Sequence, residues 1–237
     1  MGLILNLETA TPVCSVALSR DGKVLGFRES AEDKSHATRL TIFIGELFRE
    51  HGISADNLDA ISLGMGPGSY TGLRIGASVA KGLAFGAGKP AIGIPTLKAL
   101  ANGFYMTYQK EIPQSTTGKV LLCPMLDARR MEVYTALYDT GLNEVSPVEA
   151  LILDQASFGP LLDKQVICFF GSGSDKAKEI FNHPNALFFA GIGLSASYQS
   201  ELAESLFNLK EFIDTAYFEP HYLKEFIAGI PKNKVLG

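Results

Sequence analysis

The chain has no tryptophan, and it has only three cysteines and four histidines among its 237 residues. Cys14, Cys123 and Cys168 lie far apart in apolar runs, and no CxxC motif occurs, which indicates buried free thiols rather than disulfides or metal ligands. His36 opens a predicted helix, but Leu40 stands where a two-histidine metal site would place its second ligand. We therefore expect neither a disulfide nor a metal site.

Acidic residues are absent from Ala60 to Lys110, a stretch that contains five Lys and Arg residues. Because the whole chain carries −4, the remainder carries −9. The same stretch holds ten of the 24 glycines. Two interpretations stay open: the cations are ordinary solvated residues, or a glycine-rich basic segment contacts an anionic group or packs closely on a partner.

No apolar run approaches the roughly 18 residues that a membrane helix needs, and no leader-like pattern is evident. We expect a cytoplasmic protein that does not bind membranes. The acidic pI of about 5.6 disfavours a free-standing nucleic-acid binder. Apolar residues make up 46% of the chain, enough for a sizeable core.

Apolar periodicity predicts the same order of elements twice. The first half has strands at 3–7, 13–19 and 24–28, a helix at 36–51 capped by Ser35, a strand at 60–65, a helix at 71–87, a strand at 91–94 and a helix at 96–104. The second half has strands at 120–126, 132–138 and 144–151, a helix from Asp154 to 162, a strand at 165–170, a helix at 174–182, a strand at 186–189 and a helix at 197–213.

Two βββαβαβ halves with mixed sheets predict an α/β protein with the duplicated ribonuclease H-like fold of the actin, sugar kinase and Hsp70 superfamily. We place the halves at residues 1–107 and 108–237, joined by a polar loop at 108–119.

Several nucleotide and hydrolase motifs are missing. Neither Gly88-Lys89 nor Gly118-Lys119 belongs to a P-loop, and Ser69 lacks the flanking glycines of a serine elbow. The run at 66–72 loosely matches a dinucleotide fingerprint, but the acid-free stretch lacks the carboxylate that would bind the ribose.

Two turns occupy the places where actin-like ATPases bind phosphate and adenosine. The first is Glu8-Thr9-Ala10-Thr11, where those enzymes have Asp-x-Gly-Thr/Ser, and the Cβ of Ala10 obstructs a phosphate. The second is the Gly171–Gly173 turn between a strand and a helix. We interpret Glu8, Thr9, Thr11, Gly171 and Gly173 as vestigial nucleotide-binding positions.

Small residues recur every fourth position along the helix at 71–87. Gly72, Gly76, Ala80 and Ala84 form one smooth face, and Gly82 and Gly86 lie on an adjoining one. A glycine inside a helix costs about 1 kcal/mol relative to alanine, so a close neighbour is expected. That neighbour is either the helix at 36–51 of the same chain or a helix of another subunit.

Several motifs together resemble the TsaB (YeaZ) family of bacterial tRNA threonylcarbamoyladenosine biosynthesis proteins. They are ETAT at 8–11, Ser35-His36 followed by Leu40, GMGPGSYTGLRIG at 64–76, PTL at 95–97, DARRMEVY at 127–134 and PHYL at 220–223. The similarity is most specific in the N-terminal half and loose over residues 142–197.

The resemblance implies a protein without catalytic residues, which activates the paralogous transferase TsaD as a heterodimer scaffold. It implies TsaE, an ATPase, as a further partner, and contact with tRNA only through the complex. ATP and a metal ion are expected only on the partner proteins. A homodimer through the same helices is a further option. It also implies an interface on the first two helices, at Leu40, Ile44, Leu47, Gly72, Leu73, Gly76, Val79, Ala80 and Leu83. The alternative is an active ATP-dependent phosphotransferase of the same superfamily; a peptidase is a third hypothesis, and no nucleophile–base pair supports it.

Overall fold

The computed structural model describes residues 2–31, 36–113 and 119–223, and its first sheet is built from the N-terminal half. Its elements are β1 (Leu3–Glu8), β2 (Cys14–Arg20), β3 (Lys23–Ser30), α1 (His36–His51), β4 (Ala60–Gly64), α2 (Tyr70–Ala87), β5 (Ala91–Ile94) and α3 (Thr96–Tyr108). The strand order is β3-β2-β1-β4-β5. Strands β1, β2 and β3 pair antiparallel, and β4 and β5 add in parallel.

The second sheet repeats this topology. Its elements are β6 (Val120–Asp127), β7 (Glu132–Tyr138), β8 (Glu144–Ile152), α4 (Gly159–Leu162), β9 (Val166–Phe170), α5 (Ser174–Ile180), β10 (Ala186–Phe189) and α6 (Ser200–Leu209). The strand order, β10-β9-β6-β7-β8, is that of the first sheet read from the other edge. Because strand order and pairing directions both recur, the duplicated ribonuclease H-like fold is confirmed.

Five layers stack in the molecule. Helices α1 and α2 cover one face of the first sheet, where Leu3, Leu5 and Leu7 of β1 point. Helices α3 and α6 fill the space between the two sheets. Helices α4 and α5 cover the outer face of the second sheet. The α1–α2 pair is therefore an outer layer of the molecule.

Two helices differ from the sequence prediction. The segment after Asp154 is mainly a turn, because the Asp154 side chain accepts hydrogen bonds from the Ala156 amide and the Ser157 hydroxyl, and only Gly159–Leu162 is helical. The predicted helix at 197–213 is a 3-10 turn at Ala196–Gln199 followed by α6, which ends where Lys210 adopts the left-handed conformation. The predicted cap Ser35 lies outside the described residues.

The segment after α6, residues 210–223, runs antiparallel along α2, and we call it the C-terminal strap. Ile213 donates its amide to Ala91 just beyond the end of α2, the ring of Phe218 lies under Lys81 in the middle, and Tyr222 contacts Tyr70 at the start. The strap and α6 thus pack on the first sheet, although they follow the second sheet in sequence. The division at residues 107 and 108 remains a prediction.

Candidate partner interface

Most of the predicted interface residues are interior residues of this chain. Leu40, Leu47, Leu73 and Ala80 are at most 1% exposed, and Ile44 is 6% exposed. Val79 and Leu83 are half-buried against the same core. Leu40, Ile44 and Leu47 lie on the side of α1 that packs on β2 and β3, because helical periodicity selects the side that the chain itself buries. The chain itself covers these buried side chains, so they are not available to a partner. The predicted interface is corrected at these positions.

The buried glycines of α2 accommodate the turn between β1 and β2. A Cβ on Gly72 would overlap the Thr9 carbonyl oxygen, and one on Gly76 would overlap Thr9 Oγ1. The same turn requires Gly64, which abuts the Glu8 carboxylate, and Gly68, which abuts Ala10. The spacing of Gly72 and Gly76 therefore reflects a turn within the chain, and neither of the two helices proposed as neighbours explains it.

Three other glycines of the helix pair have no such neighbour. A Cβ on Gly45 of α1, or on Gly82 or Gly86 of α2, would meet nothing within 4 Å. Near them Ile42 is 48% exposed and Phe85 is 88% exposed. The outer face of the pair, which we call the α1–α2 face, consists of Thr41, Ile42, Gly45, Ile75, Ser78, Gly82, Phe85 and Gly86. Sequence reasoning missed Ile42 and Phe85; their signal is that they are apolar and out of phase with the buried stripe.

Two carboxylates of α1 are paired beside this face, whereas the exposed Arg49, one helical turn after Gly45, lies on it. Arg28 of β3 forms ion pairs with Glu46 at 3.2 Å and Glu50 at 2.5 Å. On α2, Arg74 lies over the Tyr70 ring and Lys81 over the Phe218 ring, so both cations point to the flank covered by the C-terminal strap. The α1–α2 face between these two flanks is mostly small and apolar.

The first predicted phosphate turn is closed by the chain itself. Glu8 and Thr9 are buried, and Glu8 Oε1 accepts hydrogen bonds from the Thr9 and Ala10 amides, both at 2.9 Å. Gln199 Nε2 donates to Glu8 Oε2 at 3.0 Å. Burial raises the pKa of Glu8 to about 7, although these hydrogen bonds lower it in part. The amides that would bind a phosphate are therefore occupied by a carboxylate.

The glycines of the second predicted nucleotide-binding turn, Gly171 and Gly173, are packed closely against other residues of the chain. A Cβ on Gly171 would overlap the Met125 carbonyl oxygen, and one on Gly173 would lie 2.7 Å from Val133 Cγ1. Nearby, the Ser172 hydroxyl accepts from the Asp127 amide at 3.1 Å. Glycines in both halves therefore allow close packing on neighbouring residues: Gly64 and Gly68 on Glu8 and Ala10 in the first half, and Gly171 and Gly173 on Met125 and Val133 in the second.

A cleft of about 820 Å³ lies between the two halves. Thr11 and Ser69 line it from one side, Arg129 and Ser172 from the other, and Tyr222 from the C-terminal strap. Of the predicted nucleotide positions only Thr11 reaches this cleft, since Glu8 and Thr9 are buried behind it. In the parts of the chain described, no cluster of three His, Cys, Asp or Glu side chains is placed to hold a metal ion.

The three cysteines are free and buried, as the sequence predicts. No helix within residues 2–31, 36–113 and 119–223 is long and apolar enough to cross a bilayer. The duplicated sheets and their helical layers define the ribonuclease H-like fold, and the turn at residues 8–11, where a phosphate site was predicted, is filled by the Glu8 side chain.

Comparison with known proteins gives the family. The family model described as TsaD, tRNA N6-adenosine threonylcarbamoyltransferase, matches residues 24–235. The tRNA threonylcarbamoyladenosine biosynthesis protein TsaB of Bacillus subtilis is 29% identical over 229 residues, 93% of each chain. The structure of YeaZ from Pseudomonas aeruginosa has a TM-score of 0.77 and 27% identity, covering 94% of this chain and 100% of that one. The chain belongs to the TsaB/YeaZ family.

Other relatives match over a shorter span. TsaB of Escherichia coli is 37% identical over 142 residues, which are 60% of this chain and 57% of that protein. TsaB of Haemophilus influenzae is 38% identical over 131 residues, 55% of this chain and 51% of that protein. In these matches the chain spans little more than half the length of its relatives.

Proposed function

We propose that this chain is a non-catalytic partner that activates a TsaD-type transferase in the threonylcarbamoyladenosine modification of tRNA next to the anticodon. The family and the names of the TsaB relatives support the pathway. The chain acts as a scaffold in the cytoplasm, and it binds the paralogous transferase through the α1–α2 face. A TsaE-type ATPase joins the assembly, tRNA is contacted through the complex, and ATP and the metal ion belong to the partners.

The observation that carries this proposal is the set of open glycines in the helix pair. Gly45, Gly82 and Gly86 each cost about 1 kcal/mol relative to alanine, and nothing in the described chain occupies the space they leave. Small residues let another backbone approach closely, so a partner helix placed across Gly82 would offset that cost. Ile42 and Phe85 provide apolar area beside this contact.

The closed phosphate turn supports the non-catalytic role. The Glu8 carboxylate already accepts the two amide hydrogen bonds that a phosphate would need, and it is fully buried. A like-charged phosphate would meet electrostatic repulsion there whenever Glu8 is ionised.

Reconstitution tests this function. The transferase partner, tRNA and the threonylcarbamoyl donor are incubated with and without this chain, and modified adenosine is measured. We expect modification only when both proteins are present, and none from this chain with tRNA and donor alone. The proposal is overturned if the partner modifies tRNA at the same rate without this chain.

The alternative, an ATP-dependent phosphotransferase, is favoured by the cleft between the halves, which has a volume suited to a ligand. Calorimetry of this chain with ATP and Mg²⁺ separates the two proposals. Micromolar binding accompanied by turnover would support the phosphotransferase, and no measurable heat would support the scaffold.

A further inference from the structure

The 3-10 turn Ala196–Gln199 is the place where the chain passes from the second sheet to the first, and we call it the joint turn. It follows β10 of the second sheet and leads into α6, which packs on β1 and β5 of the first. On its other side, Asn102 of α3 donates to the Tyr198 carbonyl oxygen at 2.9 Å, and a Cβ on Gly103 would overlap the Tyr198 ring. Since α3 also packs on β6 and β7, the joint turn lies between elements that belong to both sheets.

Polar contacts fasten the joint turn to the first sheet. The Ala196 amide donates to Ser15 Oγ of β2 at 3.0 Å. Gln199 Nε2 donates to the Leu7 carbonyl oxygen at 3.0 Å, and the Ser62 hydroxyl of β4 donates to Gln199 Oε1 at 2.9 Å. Ser15, Ser62 and Gln199 have no solvent exposure, so these bonds lie in the interior, where an unmade hydrogen bond is costly.

Glu8 adds an ionisable group to these contacts. Two amides of its own turn donate to Oε1, and Gln199 Nε2 donates to Oε2 at 3.0 Å. Its neighbours on β2 and β4, Ser15 and Gly64, do not titrate, and within the described residues no charged side chain shifts its pKa. Tyr198 of the joint turn faces α3, and burial raises the pKa of its hydroxyl above the usual value of 10, so it stays neutral near neutral pH. Glu8 is therefore the group through which pH acts on the joint turn.

We propose that the Glu8–Gln199 contact is a proton-sensitive latch, which holds the joint turn on the first sheet while Glu8 is protonated and releases it when Glu8 ionises. An ionised carboxylate without access to water carries a desolvation cost, and hydrogen bonds offset it only in part. Burial accordingly raises the pKa of Glu8 from 4.5 to about 7. Release of the joint turn is the smallest movement that brings water to Oε2, because the other two donors belong to residues next to Glu8 in sequence.

The latch connects pH to the cleft between the halves. Glu8 ends β1, and Thr11, in the turn that follows, lines the cleft. Because the joint turn links α3 to the first sheet, its release frees the two halves to move relative to each other. This inference goes beyond the proposed function and does not depend on it, since none of its residues lies on the α1–α2 face.

Hydrogen–deuterium exchange of the full chain at pH 5 and pH 8 tests the latch, once the intrinsic pH dependence of amide exchange is corrected for. The opening equilibrium of the joint-turn amides should rise by about 70-fold, the ratio that linkage gives for a pKa of about 7 in the closed state and 4.5 in the open state. Their exchange should also be faster than that of β9 and insensitive to low urea, as expected for a local opening. If the joint turn opens only together with β9, or to the same extent at both pH values, the latch is wrong.

Two variants separate the latch from a loss of packing. Glu8→Gln keeps the shape of the side chain but cannot ionise, so its joint turn should open to the same extent, within about twofold, at both pH values. Ser15→Ala removes the acceptor of the Ala196 amide and leaves Glu8 in place, so it should increase opening while keeping the pH response of the wild type. A wild-type pH response in Glu8→Gln, or its loss in Ser15→Ala, would overturn the inference.

Discussion

Glu8 and Gln199 are 191 residues apart in sequence, yet Gln199 Nε2 donates a hydrogen bond to Glu8 Oε2 at 3.0 Å. Gln199 also donates to the Leu7 carbonyl oxygen at 3.0 Å, so the 3-10 turn before α6 is fixed to the end of β1. Glu8 has no solvent contact and is held by three N–H donors. Glu8, for which a nucleotide-binding role was predicted, is therefore an interior residue of this chain.

The buried carboxyl of Glu8 should make stability depend on pH. Its pKa is raised from 4.5 to about 7, so between these values the folded state keeps a proton that the unfolded state releases. Stability should therefore fall as pH rises from about 4.5 to 7, by up to roughly 3 kcal/mol. Urea unfolding at pH 5, 6, 7 and 8 measures this slope.

The control for that measurement is Glu8→Gln, which cannot ionise. Its stability should fall less than that of the wild type over the same range. Parallel pH profiles for the two proteins would show that Glu8 titrates at an ordinary carboxyl pKa.

Gly76 and Gly82 should respond in opposite ways to alanine, although both lie inside α2. Gly76→Ala would place a Cβ against Thr9 Oγ1 and should destabilise the fold by about 1–3 kcal/mol. Gly82→Ala enters open space and should stabilise it by up to about 1 kcal/mol. Urea midpoints of both variants check this.

A second substitution, Thr9→Ala, tests why Gly76→Ala should lower the stability of the fold. Adding Thr9→Ala removes the hydroxyl that the new Cβ meets, so the double variant should lose less stability than the two single variants combined. Strict additivity would contradict the contact between Gly76 and Thr9.

The comparison of Gly76 with Gly82 also shows what the sequence could predict. Apolar periodicity predicted the strands of both sheets and both outer helices, because local apolar patterns determine them. It could not distinguish the buried face of α2 from a partner-binding face, since both are rich in small and apolar residues. The contact of Gly72 with Thr9 depends on residues 63 positions apart, which no local pattern contains.

The end of α6 was predicted wrongly for a similar reason. Leu209 and Ile213 continue the helical spacing of apolar residues, but Lys210 is left-handed with φ of 59° and Ile213 pairs with Ala91 at the edge of the first sheet. The sequence has no glycine at this helix end to mark it.

Lys210→Gly should therefore stabilise the protein. Glycine adopts the left-handed conformation without the Cβ penalty, so a gain of about 0.5–1 kcal/mol is expected. Ser205→Gly inside the same helix is the control and should cost about 0.5 kcal/mol or more. Thermal or urea midpoints distinguish them, and a destabilised Lys210→Gly protein would contradict the assigned helix end.

The central claim is that the α1–α2 face binds the transferase partner, and the affinity of Gly82→Leu tests it most directly. Leucine at this open position fits the isolated chain but would hold a partner backbone away, so affinity should fall at least about tenfold with no loss of stability. Gly159→Leu, an equally open glycine on α4, is the matched control and should bind like the wild type. If Gly82→Leu binds the partner as tightly as the wild type, the partner does not bind at this face.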